Sequence, residues 1–357
     1  MSVKPYYKVK RKKRRKSKIN LFPAIFTVIV VMVVFFVVYK PQDTNAEIDA
    51  DGYNNLTPQT NSIQKLTGNI IEDTNEEEKE EQQEDIIVNL EDYPKFTDNT
   101  KYITSEFNCE HAMLVDTQTH EILVSKGGNE TIYPASMTKV MTLLVAVEHI
   151  DNLDDKFLMT DDIINTLVEQ QASRAGFVGG EYVTMRDLLY GLILPSGADA
   201  AVAIADYVAG SEEEFAKLMN EKAKELGLKN THFVNTSGLH DENHYTTLSD
   251  ISVILETAIK NNLCREILST YQYRTEKTPQ NPDGILLTST MFSRMYGDEV
   301  EGVTIEGGKT GFTDQAGQCL ASFARKDGKE YIAVLSKGVG TYSTIYDTFD
   351  IYEYLNK

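Results

Sequence analysis

The chain has 357 residues, 41% of them hydrophobic, enough to bury a core in one large domain or two. Its formal net charge is −19, and residues 101–357 alone hold 21 Lys or Arg against 38 Asp or Glu; without a basic stripe interleaved by aromatics, nucleic acid is excluded as a partner. Cys109, Cys264 and Cys319 are odd in number and follow no metal-ligand spacing, so they read as buried apolar side chains, with one disulfide left open for an exported chain.

Charge is segregated along the chain. Residues 1–20 carry ten Lys or Arg and no acid, the composition of a basic cytoplasmic tail. Leu21 to Tyr39, LFPAIFTVIVVMVVFFVVY, is an uncharged apolar run of the length that crosses a bilayer as a helix. Basic residues before it and acidic ones after it predict an N-terminus in the cytoplasm and the rest outside, on a single-pass anchor. Thr44 and Ala46 in DTNAE form a weak small-residue cleavage site, so a removed signal peptide is the alternative. Residues 40–100, rich in Asn, Gln, Thr, Asp and Glu and containing EDTNEEEKEEQQED at 72–85, read as a disordered, self-repelling linker. The working domain is expected over 101–357.

Within that domain, HAMLVD at 111–116 and HEILVS at 120–125 predict a hairpin. Helical periodicity begins at Ser136, read as an N-cap type residue, and runs through Met137, Val140, Met141, Leu144 and Val147. MRDLLYGLILPSGADAAVAIADYV at 185–208 predicts helix broken near Pro195, and 212–227 another helix. Strand character returns at 303–313, 317–325 and 330–338, the last two joined by the turn-like KDGK, before a closing amphipathic helix over 343–355. The order predicts an α/β fold of the α+β type: the two ends share one antiparallel sheet, flanked by helices, around a helical insertion.

PASMTKVMT at 134–142 sets Ser136 three residues ahead of Lys139. That pattern alone is weak, since Ser62 and Lys65 in the linker repeat it with nothing around them. Opening an apolar helix is what distinguishes Ser136: there the ammonium reaches the hydroxyl, and unpaired backbone N–H groups stand beside it for an oxyanion. Lysine serves as base only with a lowered pKa, which requires burial or a second cation. Lys309-Thr310-Gly311 on a predicted strand offers that cation, with a charge and a hydroxyl for a carboxylate and, at Gly311, room for a substrate backbone. Ser196, in the break between helices, reads either as a proton relay or as a helix cap.

The three motifs fall in the order SxxK, central serine, KTG of penicillin-binding proteins and serine β-lactamases. With DLLYGLILPSGADAA, NTSGLH at 235–240 and GGKTGFTDQAGQCLAS, residues 101–357 resemble a D-alanyl-D-alanine carboxypeptidase of the low-molecular-mass penicillin-binding type. The resemblance implies a sheet-plus-helical-domain fold that needs no cofactor or metal. It would remove the terminal D-Ala from peptidoglycan pentapeptide stems and be acylated by β-lactam antibiotics, on the outer face of the bacterial cell membrane. It also implies roles: Ser136 the nucleophile, Lys139 its base, Ser196 the proton shuttle, Lys309 and Thr310 the carboxylate site, and the N–H groups of Ser136 and Phe312 the oxyanion hole. The family's C-terminal β-domain with its anchor helix has no counterpart in the sequence, so the N-terminal span is expected to take over tethering to the membrane. The central triplet departs from the family: where Asn is usual stands Ala198, and either a neighbouring side chain such as Asp199 or a bound water is expected to recover part of its role.

Three alternatives stay open. A serine β-lactamase would need a carboxylate to activate water, and no Glu-x-x-Leu-Asn lies between Ser196 and Lys309. A zinc peptidase would use His240 and His244, although Gly238 argues against the helix that chemistry requires. An inactive wall-binding module is the reading that Ala198 keeps in view.

Overall fold

The computed structural model describes residues 93–295 and 299–357. The basic tail, the apolar run 21–39 and the linker as far as residue 92 lie outside the described residues; among those described, no helix is long and apolar enough to cross a membrane. Among the described residues, 93–100 pack on the body although the sequence assigned them to the linker: the Tyr93 hydroxyl donates to Asp250 Oδ1 at 2.5 Å and Lys95 N to His120 O at 2.9 Å.

Strand β1 (Lys101–Tyr102) precedes β2 (Cys109–Asp116) and β3 (Glu121–Lys126), the hairpin expected from the alternating runs. A 3₁₀ turn over Ala135–Thr138 leads into α1 (Lys139–His149). The insertion continues through β4 (Lys156–Leu158), α2 (Asp161–Glu169), β5 (Tyr182–Thr184), α3 (Met185–Ile193), α4 (Ala198–Ala209) and α5 (Glu212–Glu225). It ends with α6 (Leu248–Lys260), α7 (Asn262–Leu268), β6 (Gln272–Arg274) and β7 (Leu286–Thr288). The three late strands are β8 (Thr304–Thr313), β9 (Gly317–Lys326) and β10 (Lys329–Gly338), closed by α8 (Ser343–Tyr352). Threonine and serine side chains start the insertion helices: Thr160, Thr184, Ser211 and Thr247 accept from backbone N–H groups of Ile163, Asp187, Glu214 and Asp250.

The main sheet has six strands in the order β1-β3-β2-β10-β9-β8. Pairing of β2 with β10, Met113 opposite Val334 and Val115 opposite Ile332, joins the two ends of the domain as expected. One strand departs from the antiparallel expectation: β1 runs parallel to β3, Lys101 opposite Val124, because the chain reverses twice between them. The insertion also holds elements the sequence reading left out, namely α2, α6, α7 and the two-stranded pairs β4–β5 and β6–β7.

Both faces of the sheet are covered, and the period of two sorts its residues between them. Met113, Val115, Ile122, Phe323, Ile332 and Val334 pack with the insertion helices. Ala112, Leu114, Val124, Leu320, Ala333 and Leu335 pack with Ile345, Phe349, Ile351 and Tyr352 of α8. The buried carboxylate of Asp347 clasps α8 to β2, accepting from Cys109 N, Cys109 Sγ and Asn108 Nδ2, each at 2.7 Å. Tyr352 donates to Ser322 O at 3.0 Å on β9. All three cysteines are buried free thiols, the apolar reading; no disulfide forms.

Asp347→Ala strands the buried Cys109 N–H, and is expected to lower the unfolding free energy by about 3 kcal/mol in urea titration. Tyr352→Phe gives up two neutral hydrogen bonds, to the carbonyl and to the hydroxyl of Ser322, and should lower it by less, about 1–2 kcal/mol. Equal effects for the two would show that the carboxylate clasp carries no special weight.

Candidate active site

Ser136 lies within the 3₁₀ turn, and α1 starts at Lys139. The expectation of an N-cap serine is corrected on this point, since the cap positions are Pro134 for the turn and Thr138 for α1. The turn itself explains the spacing: with about three residues per turn, side chains at i and i+3 eclipse, so the Ser136 hydroxyl stands over the Lys139 amine. Ser136 Oγ and Lys139 Nζ are 3.0 Å apart.

Lys139 is 1% exposed. Its amine donates to the carbonyl oxygen of Ser237 at 2.6 Å, and the same oxygen lies 3.4 Å from Ser136 Oγ. Burial drives its pKa from the ordinary lysine value down to about 7, against the opposing pull of Asp199 and Glu212. Burial is thus the route to the depressed lysine; the second cation expected from Lys309 is not among the causes of its shift.

Two glycines let three chain segments converge here. A Cβ on Gly238, whose φ is 79°, would sit 1.9 Å from Ala135 O. One on Gly311 would sit 2.9 Å from Ser136 N and 3.1 Å from Ala135 Cβ. The room at Gly311 therefore admits the serine turn itself, where the sequence reading had reserved it for substrate.

Ser196 lies between α3 and α4 at a φ of 67°, a conformation that L-residues seldom adopt. Its carbonyl accepts from Ser173 Oγ at 2.5 Å, while Ala198 N donates to Ser173 O at 2.8 Å. The buried hydroxyl of Ser196 has no hydrogen-bond partner. Asp199 is not available as a substitute for the missing amide. Fully buried, its carboxylate accepts from Ala175 N at 2.8 Å, Gly176 N at 3.1 Å and Ala200 N at 3.0 Å, which pins the loop between α2 and β5 to the start of α4.

Strand β8 forms the opposite wall as the edge of the sheet. Thr310 Oγ1 is 2.6 Å from Thr290 Oγ1. Lys309 is 1% exposed and donates to Thr310 O at 2.9 Å. Burial, then Lys139 and Arg294 beside it, hold Lys309 well below the ordinary lysine value. Phe312 is 55% exposed at the rim.

The resulting cleft of about 350 Å³ is lined by Ser136, Lys139, Ser196, Thr310 and Phe312 together, with Lys309 behind the wall. Arg294, Ser237 and Ser173 also line it, and sequence reasoning missed all three. Ser237 lies in NTSGLH, but acts through a backbone carbonyl that no side-chain pattern reports; Arg294, between β7 and β8, carries no local signal. No Asp or Glu lines the cleft among the described residues. His240 stands edge-on to Tyr133 at 4.7 Å between ring centres, and His244 has both ring nitrogens engaged, by Thr138 and by Val234. The two therefore do not form a zinc site, and no cluster of metal-ligating side chains occurs among the described residues.

Residues 97–338 match the family described as D-alanyl-D-alanine carboxypeptidase. The chain is 36% identical over 238 residues to the D-alanyl-D-alanine carboxypeptidase DacF of Bacillus subtilis, covering 65% of this chain and 58% of that protein. It is 33% identical over 235 residues to the D-alanyl-D-alanine carboxypeptidase of Streptomyces sp. (strain K15), covering 61% and 76%. The crystal structure of the Streptomyces K15 DD-transpeptidase superposes with a TM-score of 0.61 at 29% identity, over 71% of this chain and 98% of that one. The chain thus spans little more than half the length of the Bacillus relative. With a match over 97–338 and relatives that agree with it, the chain belongs to the D-alanyl-D-alanine carboxypeptidase family.

Proposed function

We propose that the chain is a serine D-alanyl-D-alanine carboxypeptidase that removes the terminal D-Ala from peptidoglycan pentapeptide stems. One observation carries this reading: the Ser136 hydroxyl lies 3.0 Å from the amine of a buried Lys139 whose pKa falls to about 7. At neutral pH a large fraction of that amine is uncharged. One of its N–H bonds is held by Ser237 O, which leaves the lone pair for the serine proton.

Ser136 Oγ attacks the carbonyl carbon of the penultimate D-Ala as Lys139 takes its proton. The oxyanion is received by the backbone N–H groups of Ser136 and Phe312. Collapse breaks the peptide bond, and the leaving amine of D-Ala takes a proton passed from Lys139 through the Ser196 hydroxyl, which is otherwise without a partner. Water then releases the stem from the acyl-enzyme and restores Ser136. Thr310 binds the terminal carboxylate, with Lys309 and Arg294 supplying positive charge behind and beside it. A β-lactam would enter by the same first step. Deacylation of that adduct is slow because no carboxylate lines the cleft to activate water, which favours a peptidase over a β-lactamase.

The basic tail 1–20 and apolar run 21–39 would hold the enzyme on the outer face of the membrane, with the acidic segment from residue 40 as tether to a catalytic domain whose folded part includes residues 93–100 as well as 101–357. Protease added to wall-stripped cells should release a soluble domain cut between residues 40 and 92; a mature N-terminus near Glu47 would instead reveal a cleaved signal peptide.

Labelled penicillin should acylate the protein, and Ser136→Ala should abolish both labelling and D-Ala release from a pentapeptide. Because the base must be uncharged, kcat/KM should fall as pH drops through about 7, the value to which burial brings Lys139. A profile flat from pH 6 to 9 would contradict the assignment of Lys139, in wild type and in a Ser136-dependent reaction alike.

Ala198 removes one positioning amide and leaves Ser136, Lys139 and Ser196 in place. The loss of one hydrogen bond to a charged or reacting group is worth about 1.5–3 kcal/mol, roughly ten- to a hundred-fold in rate. Ala198→Asn should therefore be faster than wild type, and Ser136→Ala far slower. If wild type is no faster than Ser136→Ala while Ala198→Asn is active, the chain is an inactive wall-binding module.

A further inference from the structure

One buried titratable group touches the serine turn and has no part in the chemistry above. His244 is 2% exposed, and lies in the irregular segment between Leu239 and α6. The backbone N–H of Val234 points to its Nδ1 at 3.2 Å. An amide N–H only donates, so Nδ1 is the acceptor and the proton of the neutral ring sits on Nε2. Nε2–H then donates to Thr138 Oγ1 at 2.7 Å. The surroundings favour that neutral form: burial, His232, Lys139 and His240 lower the imidazole pKa to about 4, against Asp241 alone.

The two ends of this bridge matter because of what they adjoin. Thr138 lies between Ser136 and Lys139 in sequence and ends the 3₁₀ turn. Val234 opens the segment 234–238, whose Ser237 carbonyl holds the Lys139 amine. The rest of that segment is tied elsewhere: Thr236 to Glu212 through its N–H at 2.9 Å, Thr236 O to Thr142 Oγ1 at 2.7 Å, and Gly238 N to Asn235 Oδ1 at 2.7 Å. Among the described residues, His244 is the side chain that bridges its start to the turn that carries the serine.

We propose that His244 is a positioning residue for the reaction: with Thr138 it clips the nucleophile turn to segment 234–238, and so fixes the Ser237 carbonyl against the Lys139 amine. This rests on the reading of Ser136 and Lys139 as nucleophile and base. Without the clip the carbonyl loosens and water reaches the amine. Hydration of Lys139, next to Asp199, Glu212 and Lys309, moves its titration toward the ordinary lysine range, so less of it is uncharged at neutral pH.

The test is the rate of Ser136 acylation by a chromogenic β-lactam, measured against pH on the full chain. Thr138→Val, which keeps side-chain shape and removes the acceptor, and His244→Phe, which keeps a ring and removes both bonds, should each acylate about ten-fold more slowly at pH 7. In both, the acid limb should move to higher pH while the β-lactam concentration for half-maximal rate stays within about two-fold. Thr138→Ser should restore the wild-type rate, and the double variant should be no slower than the slower single, because both break one bridge. A purely structural role would reduce the amount of active protein and leave the acid limb in place. If Thr138→Val folds and keeps the wild-type rate and limb, the proposal is overturned whatever His244→Phe does. If labelling survives Ser136→Ala, the reading beneath it falls as well.

Discussion

The burial of a single lysine governs this site. An ammonium taken out of water loses several kcal/mol of solvation, and the protein offers Lys139 in return one backbone carbonyl and one hydroxyl. Asp199 and Glu212 act on it at a distance without pairing with it; Asp199 is committed to the amides of Ala175 and Gly176, and Glu212 to Thr236. A direct ion pair would have fixed the lysine in its charged form. A carbonyl partner favours the ammonium far less than a carboxylate would and still accepts from the neutral amine, so burial prevails and Lys139 can serve as a base near neutral pH.

The fold supplies this environment by bringing remote segments together. The serine turn follows the first hairpin, the Ser237 carbonyl comes from within the helical insertion, and β8 returns after it as the open edge of a sheet already closed by β2 and β10. Glycine at 238 and 311 allows backbones to approach where any side chain would collide. The strained Ser196, tied through Ser173 and flanked by the clamp at Asp199, adds the fourth wall. Backbone strain of this kind persists only where surrounding bonds over-determine it, and here the strained residue holds a buried cleft hydroxyl that makes no hydrogen bond to the described residues.

Much of this was legible in the sequence. Alternating apolar runs located the hairpin and the late strands, and helical periodicity located α1, α3, α4 and α5. Of the residues singled out by the motifs, Ser136, Lys139, Ser196, Thr310 and Phe312 line one cleft and Lys309 does not. What escaped had no local signature. The 3₁₀ turn looks like the first turn of a helix in composition. Ser237 contributes a carbonyl, which every residue possesses. Arg294 reaches the cleft only through the path from β7 to β8, and His244 attracted notice for a zinc spacing while its nitrogens are spent on Val234 and Thr138. The parallel pairing of β1 depends on chain reversals that two residues of strand cannot announce.

The account stands or falls on the charge state of Lys139 in the folded protein. Its pKa is directly measurable from the pH dependence of the side-chain Cε resonance, with the protein labelled at lysine and the signal assigned by Lys139→Arg. A midpoint near 7, well separated from the surface lysines, is the result expected from its burial. A midpoint near 10, titrating with the exposed lysines, would show that the amine is charged at neutral pH and would remove the base from the mechanism.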